Sequence, residues 1–219
     1  MPDKLLQLSS GRLILGGQFT NAKTKKLEQY LIYSDDNGKT WSDAVTVAAD
    51  PRYHLCEVSI LECRDKTLVA FMRENSFMGY DCMKAISFDS GETWEGVFHA
   101  PIPACHRPVA GFLKSGNIMV THRYLQGGKG WLGAWTQNVF AAFLDEESAK
   151  EKERSNQSVR IMPLDYDRSS VSDLGYTGWV QFDDGEIYVV NYIVDDAPKA
   201  QIRGYSFYES DVLIETKTE

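Results

Sequence analysis

The sequence contains no closely spaced cysteine pairs, no long apolar run and no excess of positive charge. Its cysteines, Cys56, Cys63, Cys82 and Cys105, show no C-x-x-C spacing, so buried free thiols are expected rather than a metal or redox site. No stretch approaches the ~18–20 apolar residues that a membrane-spanning helix requires. The net charge of −8 argues against nucleic acid or an anionic membrane surface as a partner. We therefore expect no metal, no cofactor, no nucleic acid and no membrane among the partners of this chain.

A strand–turn–strand pattern occurs four times along the 219 residues. Each occurrence has two short apolar segments on either side of a polar turn, which is typical of a β-hairpin. The turns align at Gly11, Lys66, Gly116 and Gly185. A third apolar segment follows each hairpin, at residues 30–34, 83–87, 138–144 and 201–206. A fourth follows at residues 45–47, 97–99, 159–162 and, more weakly, 212–214.

Four strands in each repeat indicate the blades of a β-propeller. The sequence therefore predicts an all-β fold, a β-propeller of four-stranded antiparallel blades, in one domain covering residues 1–219. The blades are expected at about residues 2–50, 54–103, 105–168 and 173–215. The third repeat is lengthened by a charged segment at residues 145–154, for which we expect a solvated helix or loop.

Polar residues recur at two fixed positions of the repeat, nine residues before the turn and seven residues after it. The first position holds Pro2, Glu57, Arg107 and Tyr176, and the second holds Gln18, Arg73, Arg123 and Tyr192. The two positions face each other in an antiparallel hairpin, at the end of the blade that surrounds the central channel. The alignment therefore predicts that one rim collects Glu57, Arg73, Arg107, Arg123, Tyr176 and Tyr192.

The charges on this rim favour an anionic ligand. Arg107 is predicted to face Arg123, and like charges opposite each other destabilise a sheet unless a bound group such as a carboxylate offsets their repulsion. Single residues also fit simpler interpretations, because Glu57 and Arg73 suit an ordinary cross-strand ion pair and Tyr176 suits a core aromatic. The combination of the three residue types favours a functional site.

Two segments of eight residues share a second pattern. Residues 34–41 and 87–94 both read S-x-D-x-G-x-T-W. The aspartates can accept backbone N–H groups of a turn, the glycines can adopt positive φ, and the tryptophans can fix the turn to the sheet. These residues are Asp36, Gly38, Trp41, Asp89, Gly91 and Trp94. The pattern resembles the Asp-box, or BNR repeat, of sialidase-type β-propellers, a structural motif that other glycosidases and sortilin-type receptors share.

The resemblance to sialidases (neuraminidases) extends to the rim. Glu57 is followed sixteen residues later by Arg73, and Tyr176 precedes an apolar strand, an Asp-Gly turn and another apolar strand, as in that family. The resemblance implies that Tyr176 is a nucleophile and that Glu57 deprotonates it, because a neutral phenol with a pKa of about 10 is a poor nucleophile. A tyrosine also avoids the repulsion that a carboxylate nucleophile would meet at an anionic sugar.

The resemblance also implies the ligand. Sialidases are exo-glycosidases whose sugar carries a carboxylate on the anomeric carbon, so an acidic sugar or glycoconjugate is the expected partner. Arg73 and Arg123 are expected to clamp that carboxylate, with Arg107 as a competing candidate for the second position. His106 and Tyr192 are expected to add contacts on the same rim.

The sequence departs from the sialidase pattern before Glu57. The family has six blades, and its first blade supplies an arginine and an aspartate acid/base that have no counterpart before Glu57 in this sequence. Three explanations are open: a fragment of a longer chain, completion by another chain or by self-association, and a closed four-bladed propeller. Three functions are also open: a sialidase-like hydrolase, a non-catalytic Asp-box propeller that binds carbohydrate or protein, and a glycosidase or lyase for another sugar.

Overall fold

The structure is a computed structural model that describes residues 4–127 and 135–213. Within these two ranges the protein consists of fifteen β-strands, one short α-helix and two 3₁₀ turns. None of the described helices is long and apolar enough to cross a membrane. The strands form four antiparallel sheets that follow one another along the chain.

Each sheet is a meander in which neighbouring strands are consecutive in the chain. The first sheet contains β1 (Leu6–Gln7), β2 (Leu13–Thr20), β3 (Leu27–Ser34) and β4 (Val45–Ala48). The second contains β5 (Leu55–Glu62), β6 (Leu68–Glu74), β7 (Met83–Ser87) and β8 (Glu95–His99). The third contains β9 (Cys105–Phe112), β10 (Ile118–Gly127), β11 (Trp135–Leu144) and β12 (Arg160–Tyr166). The fourth contains β13 (Gly178–Gln181), β14 (Ile187–Ile193) and β15 (Gln201–Phe207).

Four consecutive meanders of this kind are the blades of a β-propeller, which confirms the predicted fold class. The weakest predicted strand is not formed by the described residues. Val212 and Leu213 follow a 3₁₀ turn at Glu209–Asp211, and Ile214 lies outside the described ranges. The turn forms there because the Asp211 carboxylate accepts a 2.7 Å hydrogen bond from the backbone N–H of Tyr208. Pro2 also lies outside the described residues.

The blades pack face to face through apolar clusters, each shared by two neighbours. Ile14 and Leu31 of the first blade pack in one cluster with Ile60 and Met72 of the second. A second cluster joins the second and third blades, and a third cluster joins the third and fourth. The second blade is covered on both faces, and β6 is therefore buried along its whole length. This explains why the sequence of β6 is a continuous apolar run up to Met72 instead of an alternating one.

The four cysteines lie within this packed interior and are free, as predicted. Burial raises the pKa of Cys56 and that of Cys63 to about 12, so both thiols are protonated at neutral pH. Among the described residues, no three His, Cys, Asp or Glu side chains cluster so that they could hold a metal ion.

The charged segment after β11 folds back onto the second blade. Asp145 caps helix α1 (Glu146–Lys150) by accepting a 2.7 Å hydrogen bond from the backbone N–H of Ser148. The fully buried ammonium of Lys84 on β7 donates to the backbone oxygens of Ser148 and Ala149 at 3.0 and 2.8 Å. Burial lowers the pKa of Lys84 to about 8. The predicted excursion is therefore helical, but its inner side is buried and connects two blades.

The Asp-box segments form the turns between the third and fourth strands of the first two blades. Asp36 accepts hydrogen bonds from the backbone N–H of Thr40 at 2.9 Å and from its hydroxyl at 2.7 Å. Asp89 accepts from the backbone N–H of Thr93 at 2.8 Å in the same way. Both aspartates therefore satisfy backbone donors inside their own turns, as predicted.

The other conserved letters of the Asp-box pattern also act within the turn. Gly38 and Gly91 have φ values of +81° and +89°, which favour glycine. Trp94 packs against the core shared by the first two blades, whereas Trp41 is 39% exposed. The second box therefore fixes its turn to the sheet more firmly than the first.

Candidate functional site

A β-bulge shapes the inner strand of both the second and the third blade. Glu57 has a φ of +46° and lies at a register shift between β5 and β6. Arg107 has a φ of +52° and lies at the equivalent shift between β9 and β10. The predicted pairing of Glu57 with Arg73 and of Arg107 with Arg123 is therefore wrong by one residue. The ladder partner of Arg73 is Cys56, and that of Arg123 is His106. The extra residue of a bulge is left outside the ladder, which re-aims its side chain.

Tyr176, Glu57 and Arg73 form a hydrogen-bonded network that joins the second and fourth blades. The phenol of Tyr176 donates to Glu57 Oε1. Arg73 Nη1 donates to Glu57 Oε2 at 2.7 Å and to the Tyr176 oxygen at 3.2 Å. Tyr176 and Glu57 are 119 residues apart in the sequence. The predicted rim therefore brings together side chains from blades that are not adjacent.

The charges around this network keep its proton on the tyrosine. Burial alone would raise the pKa of Glu57, but the charge of Arg73 and the hydrogen bonds from Tyr176 and Arg73 outweigh it, and this pKa lies below its ordinary value. Burial, together with the hydrogen bond to Glu57 and its negative charge, raises the pKa of Tyr176. The resting state is a neutral phenol that donates to a carboxylate, an arrangement in which a base can activate a nucleophile.

Arg123 and Tyr192 lie on the other side of Tyr176. The guanidinium of Arg123 stands over the Tyr176 ring, 4.8 Å from its centroid. Its Nη1 is 3.3 Å from Gln137 Oε1 and 3.7 Å from one carboxylate oxygen of Asp173. Tyr192 donates a 2.6 Å hydrogen bond to that same Asp173 oxygen, and its ring meets Tyr176 edge-on with 6.1 Å between centroids. Both predicted rim residues therefore contact Tyr176.

The backbone before Tyr176 is fitted closely to the third blade. Gly175 has a φ of +100°, and its N–H donates to Asn191 Oδ1 at 2.6 Å. A Cβ at Gly175 would lie 2.5 Å from the Cβ of Arg123. Glycine is therefore required on both conformational and steric grounds, and it sets where Tyr176 enters the site.

His106 lies beside this network without joining it, and Arg107 follows it at the bulge of β9. His106 pairs with Arg123 across the ladder and is only 4% exposed, so it offers little surface to a ligand. Burial and the charges of Arg73 and Arg123 lower the pKa of His106 to about 2, which keeps its imidazole neutral. Arg107 is partly buried and makes no hydrogen bond or ion pair with any described residue, and its Nη1 is buried without a partner.

Four polar residues support the site beyond those expected from the sequence. Gln18 Oε1 accepts a 2.6 Å hydrogen bond from the backbone N–H of Glu57. Gln18 occupies the second repeat position, so the alignment contained a signal for it. The other three, Gln137, Asp173 and Asn191, lie outside both repeat positions, and nothing in the local sequence distinguishes them.

Comparisons with known proteins agree with this architecture. The BNR repeat-like domain family matches residues 1–139, and no curated protein matches the chain. A Dyadobacter fermentans protein of unknown function aligns with a TM-score of 0.74 and 24% identity over 92% of this chain and 51% of its own. Penicillium chrysogenum α-L-arabinanase, complexed with arabinobiose, aligns with a TM-score of 0.65 and 15% identity over 94% of this chain and 61% of its own. The Ruminococcus gnavus intramolecular trans-sialidase, complexed with oseltamivir carboxylate, aligns with a TM-score of 0.60 and 17% identity over 98% of this chain and 44% of its own.

These likenesses show a β-propeller fold. The chain spans 44–61% of the length of these three proteins, and all three identities are below 25%. The match over residues 1–139, together with the blades and the two Asp-box turns, shows that the chain belongs to the BNR repeat-like domain family.

Proposed function

We propose that this chain carries the catalytic rim of a glycoside hydrolase that acts on an acidic sugar of the sialic acid type. The observation that carries the proposal is the contact of Tyr176 with Glu57, supported by Arg73. A neutral phenol can approach an anomeric carbon next to a carboxylate without charge repulsion, and a carboxylate base can then take its proton. The sialidase and arabinanase among the structural neighbours support a carbohydrate ligand.

The proposed reaction takes place in two steps at Tyr176. In the first step the phenolic oxygen bonds to the anomeric carbon while its proton passes to Glu57. The glycosidic C–O bond breaks, and its electron pair leaves on the aglycone oxygen, which takes a proton from solvent. In the second step water attacks the same carbon and loses a proton to solvent, the bond to tyrosine breaks, and Glu57 returns its proton to the phenolate. Two displacements retain the configuration.

A non-catalytic propeller that binds carbohydrate or protein is the second candidate. Glu57 and Asp173 are carboxylates of the described rim, and each accepts a hydrogen bond from a tyrosine and lies beside an arginine. A general acid for the leaving group must carry a proton and reach the glycosidic oxygen. Neither carboxylate is free for that role, and this favours binding without turnover by the described residues alone.

Turnover of fluorogenic glycosides separates these candidates. The chain is assayed with the 4-methylumbelliferyl glycosides of N-acetylneuraminic acid and of α-L-arabinofuranose. Tyr176→Phe is compared with Tyr188→Phe, because Tyr188 is a tyrosine that is 39% exposed on the outer face of the fourth blade. We expect hydrolysis of the acidic glycoside, a loss of about 10²-fold or more in Tyr176→Phe, and an unchanged rate in Tyr188→Phe.

Each other outcome decides against part of the proposal. Equal rates for the wild type and Tyr176→Phe exclude the tyrosine mechanism. Binding of N-acetylneuraminic acid without turnover supports the second candidate. Turnover of the arabinofuranoside alone would show that the chain is a glycosidase but would exclude an acidic sugar as its substrate.

A further inference from the structure

Four charged side chains of the rim form two ion pairs. Arg73 is 2.7 Å from Glu57, and Arg123 is 3.7 Å from Asp173. The hydrogen bond from Tyr192 to Asp173, at 2.6 Å, holds that carboxylate beside Arg123. A carboxylate ligand at Arg123 would have to compete with Asp173 and would be repelled by it. The guanidinium that is best placed to gain from an incoming anion is therefore one without an anionic partner.

Arg107 is such a guanidinium. It has no hydrogen bond or ion pair within the described residues, and a partly buried charge without a partner is unfavourable until a ligand compensates it. Its bulge places it at the repeat position that holds Glu57 in the second blade and Tyr176 in the fourth. Other arginines of the described chain have carboxylate partners within 2.7 Å: Arg12, Arg52, Arg154, Arg168 and Arg203.

We propose that Arg107, rather than Arg123, binds the carboxylate of an acidic sugar at this rim, and that Asp173 determines the choice by occupying Arg123. The inference rests on the proposed function, since it assigns the anionic group of the same substrate class, a sialic or uronic acid. It differs from the assignment that the sialidase resemblance implies, in which Arg123 is a clamp residue. Asp173 is thereby a specificity-determining residue, since its charge decides which guanidinium is available.

The test measures binding instead of turnover. Isothermal titration calorimetry on the full chain compares N-acetylneuraminic acid with its methyl ester, which lacks the charge. Arg107→Gln removes the unpaired guanidinium. The double variant Arg123→Gln/Asp173→Asn removes both charges of the second pair, so the net charge of the rim is unchanged. Arg52→Gln, a change in an arginine side chain that is 70% exposed, is the matched control.

Arg107→Gln should weaken binding of the acid by about tenfold or more and leave the ester unaffected. Arg52→Gln should bind the acid as the wild type does, and the double variant should still bind the acid more tightly than the ester. Asp173→Asn alone should bind the acid several-fold more tightly, because Arg123 becomes available while the amide oxygen still accepts the hydrogen bond from Tyr192. Circular dichroism confirms that each variant is folded.

Two results overturn the inference. The first is loss of acid binding in the double variant together with normal binding in Arg107→Gln. This result would show that Arg123 binds the carboxylate. The second is a wild type that binds the acid no better than the ester, or binds neither. Tyr176-dependent hydrolysis of the acidic 4-methylumbelliferyl glycoside by the same preparation would then keep the proposed function, so failure of the inference is distinguishable from failure of the proposed function.

Discussion

Glu57 is a buried carboxylate whose ionised state depends on its neighbours. It is 7% exposed, and its two oxygens accept hydrogen bonds from Tyr176 and Arg73. An ionised carboxylate is strongly disfavoured away from water unless donors and an opposite charge compensate it. Glu57 therefore contributes to the stability of the fold as well as to the proposed chemistry.

Replacing Glu57 by Gln should destabilise the protein at neutral pH and much less in acid. The variant leaves Arg73 buried without an anion, which costs about 3 kcal/mol. The pKa of Glu57 in the folded protein is lowered from 4.5, so its stabilising contribution is present above that pH and is lost as the pH falls through the folded pKa. Urea denaturation of both proteins at neutral pH and near pH ~3 measures the difference.

Glu62→Gln is the matched control for this pH dependence. Glu62 ends the same strand, and its carboxylate accepts two exposed 2.7 Å hydrogen bonds from Ser9. Its substitution should change the free energy of unfolding by only about 0.5 kcal/mol. A loss from Glu57→Gln that is equally large at both pH values would contradict the assigned ionisation.

The repeat alignment identifies Glu57, Arg73 and Tyr176 because each stands at a fixed distance from a hairpin turn. It cannot identify Asp173 or Gln137, which lie in a loop and on a third strand. The blades differ in length in those regions, so no repeated spacing marks a residue there.

At the level of single elements, the sequence does not predict the bulges in β5 and β9. Glu57 and Arg107 have positive φ, a conformation that is uncommon for residues other than glycine and that local composition does not predict. The contact of Lys84 is hidden for a different reason. A lysine within a strand predicts an exposed side chain. The carbonyl groups that Lys84 binds lie 64 and 65 residues away, in an inserted segment, so the local sequence does not indicate the contact.

Gly175→Ala should displace Tyr176 from Glu57. The new Cβ would lie 2.5 Å from the Cβ and 2.8 Å from the Cα of Arg123, and the φ of +100° is strained for alanine. We expect the free energy of unfolding to fall by about 2 kcal/mol and ligand binding at the rim to be lost. Thermal unfolding and the calorimetric titration with N-acetylneuraminic acid measure the two effects.

Gly178→Ala is the control for the same short segment. A Cβ there would lie 3.8 Å from the nearest atom, on Val190, which is an ordinary contact. The control should unfold within a few degrees of the wild type and bind normally. Equal effects of the two substitutions would show that the fit of Gly175 against Arg123 does not position the tyrosine.

At the scale of the whole molecule, each blade covers one face of the blade before it. The third residue after the turn points to the following blade. In the first three blades this residue is Ile14, Val69 or Met119, each at most 1% exposed. Tyr188 holds the same position in the fourth blade and is 39% exposed. The described fourth blade therefore exposes the face that each of the first three blades buries against the blade after it.

The first blade presents the opposite face. The fourth residue after the turn points to the preceding blade, and it is fully or almost fully buried in the second and third blades as Ala70 and Val120. Its counterpart in the first blade, Leu15, lines an apolar groove together with Phe19 and Ile32. The two faces that the described residues leave uncovered are therefore complementary, like the faces that pack between neighbouring blades.

Head-to-tail association of the 219-residue chain is therefore expected, with the fourth blade of one copy on the first blade of the next. Val190→Lys and Ile32→Glu each charge one face, and each variant should sediment as a monomer at tens of micromolar. Their equimolar mixture should form a 1:1 heterodimer, because each variant retains the face that the other lacks. Val171→Lys, at a loop position that is 78% exposed, should associate normally. A monomeric wild type contradicts the expectation.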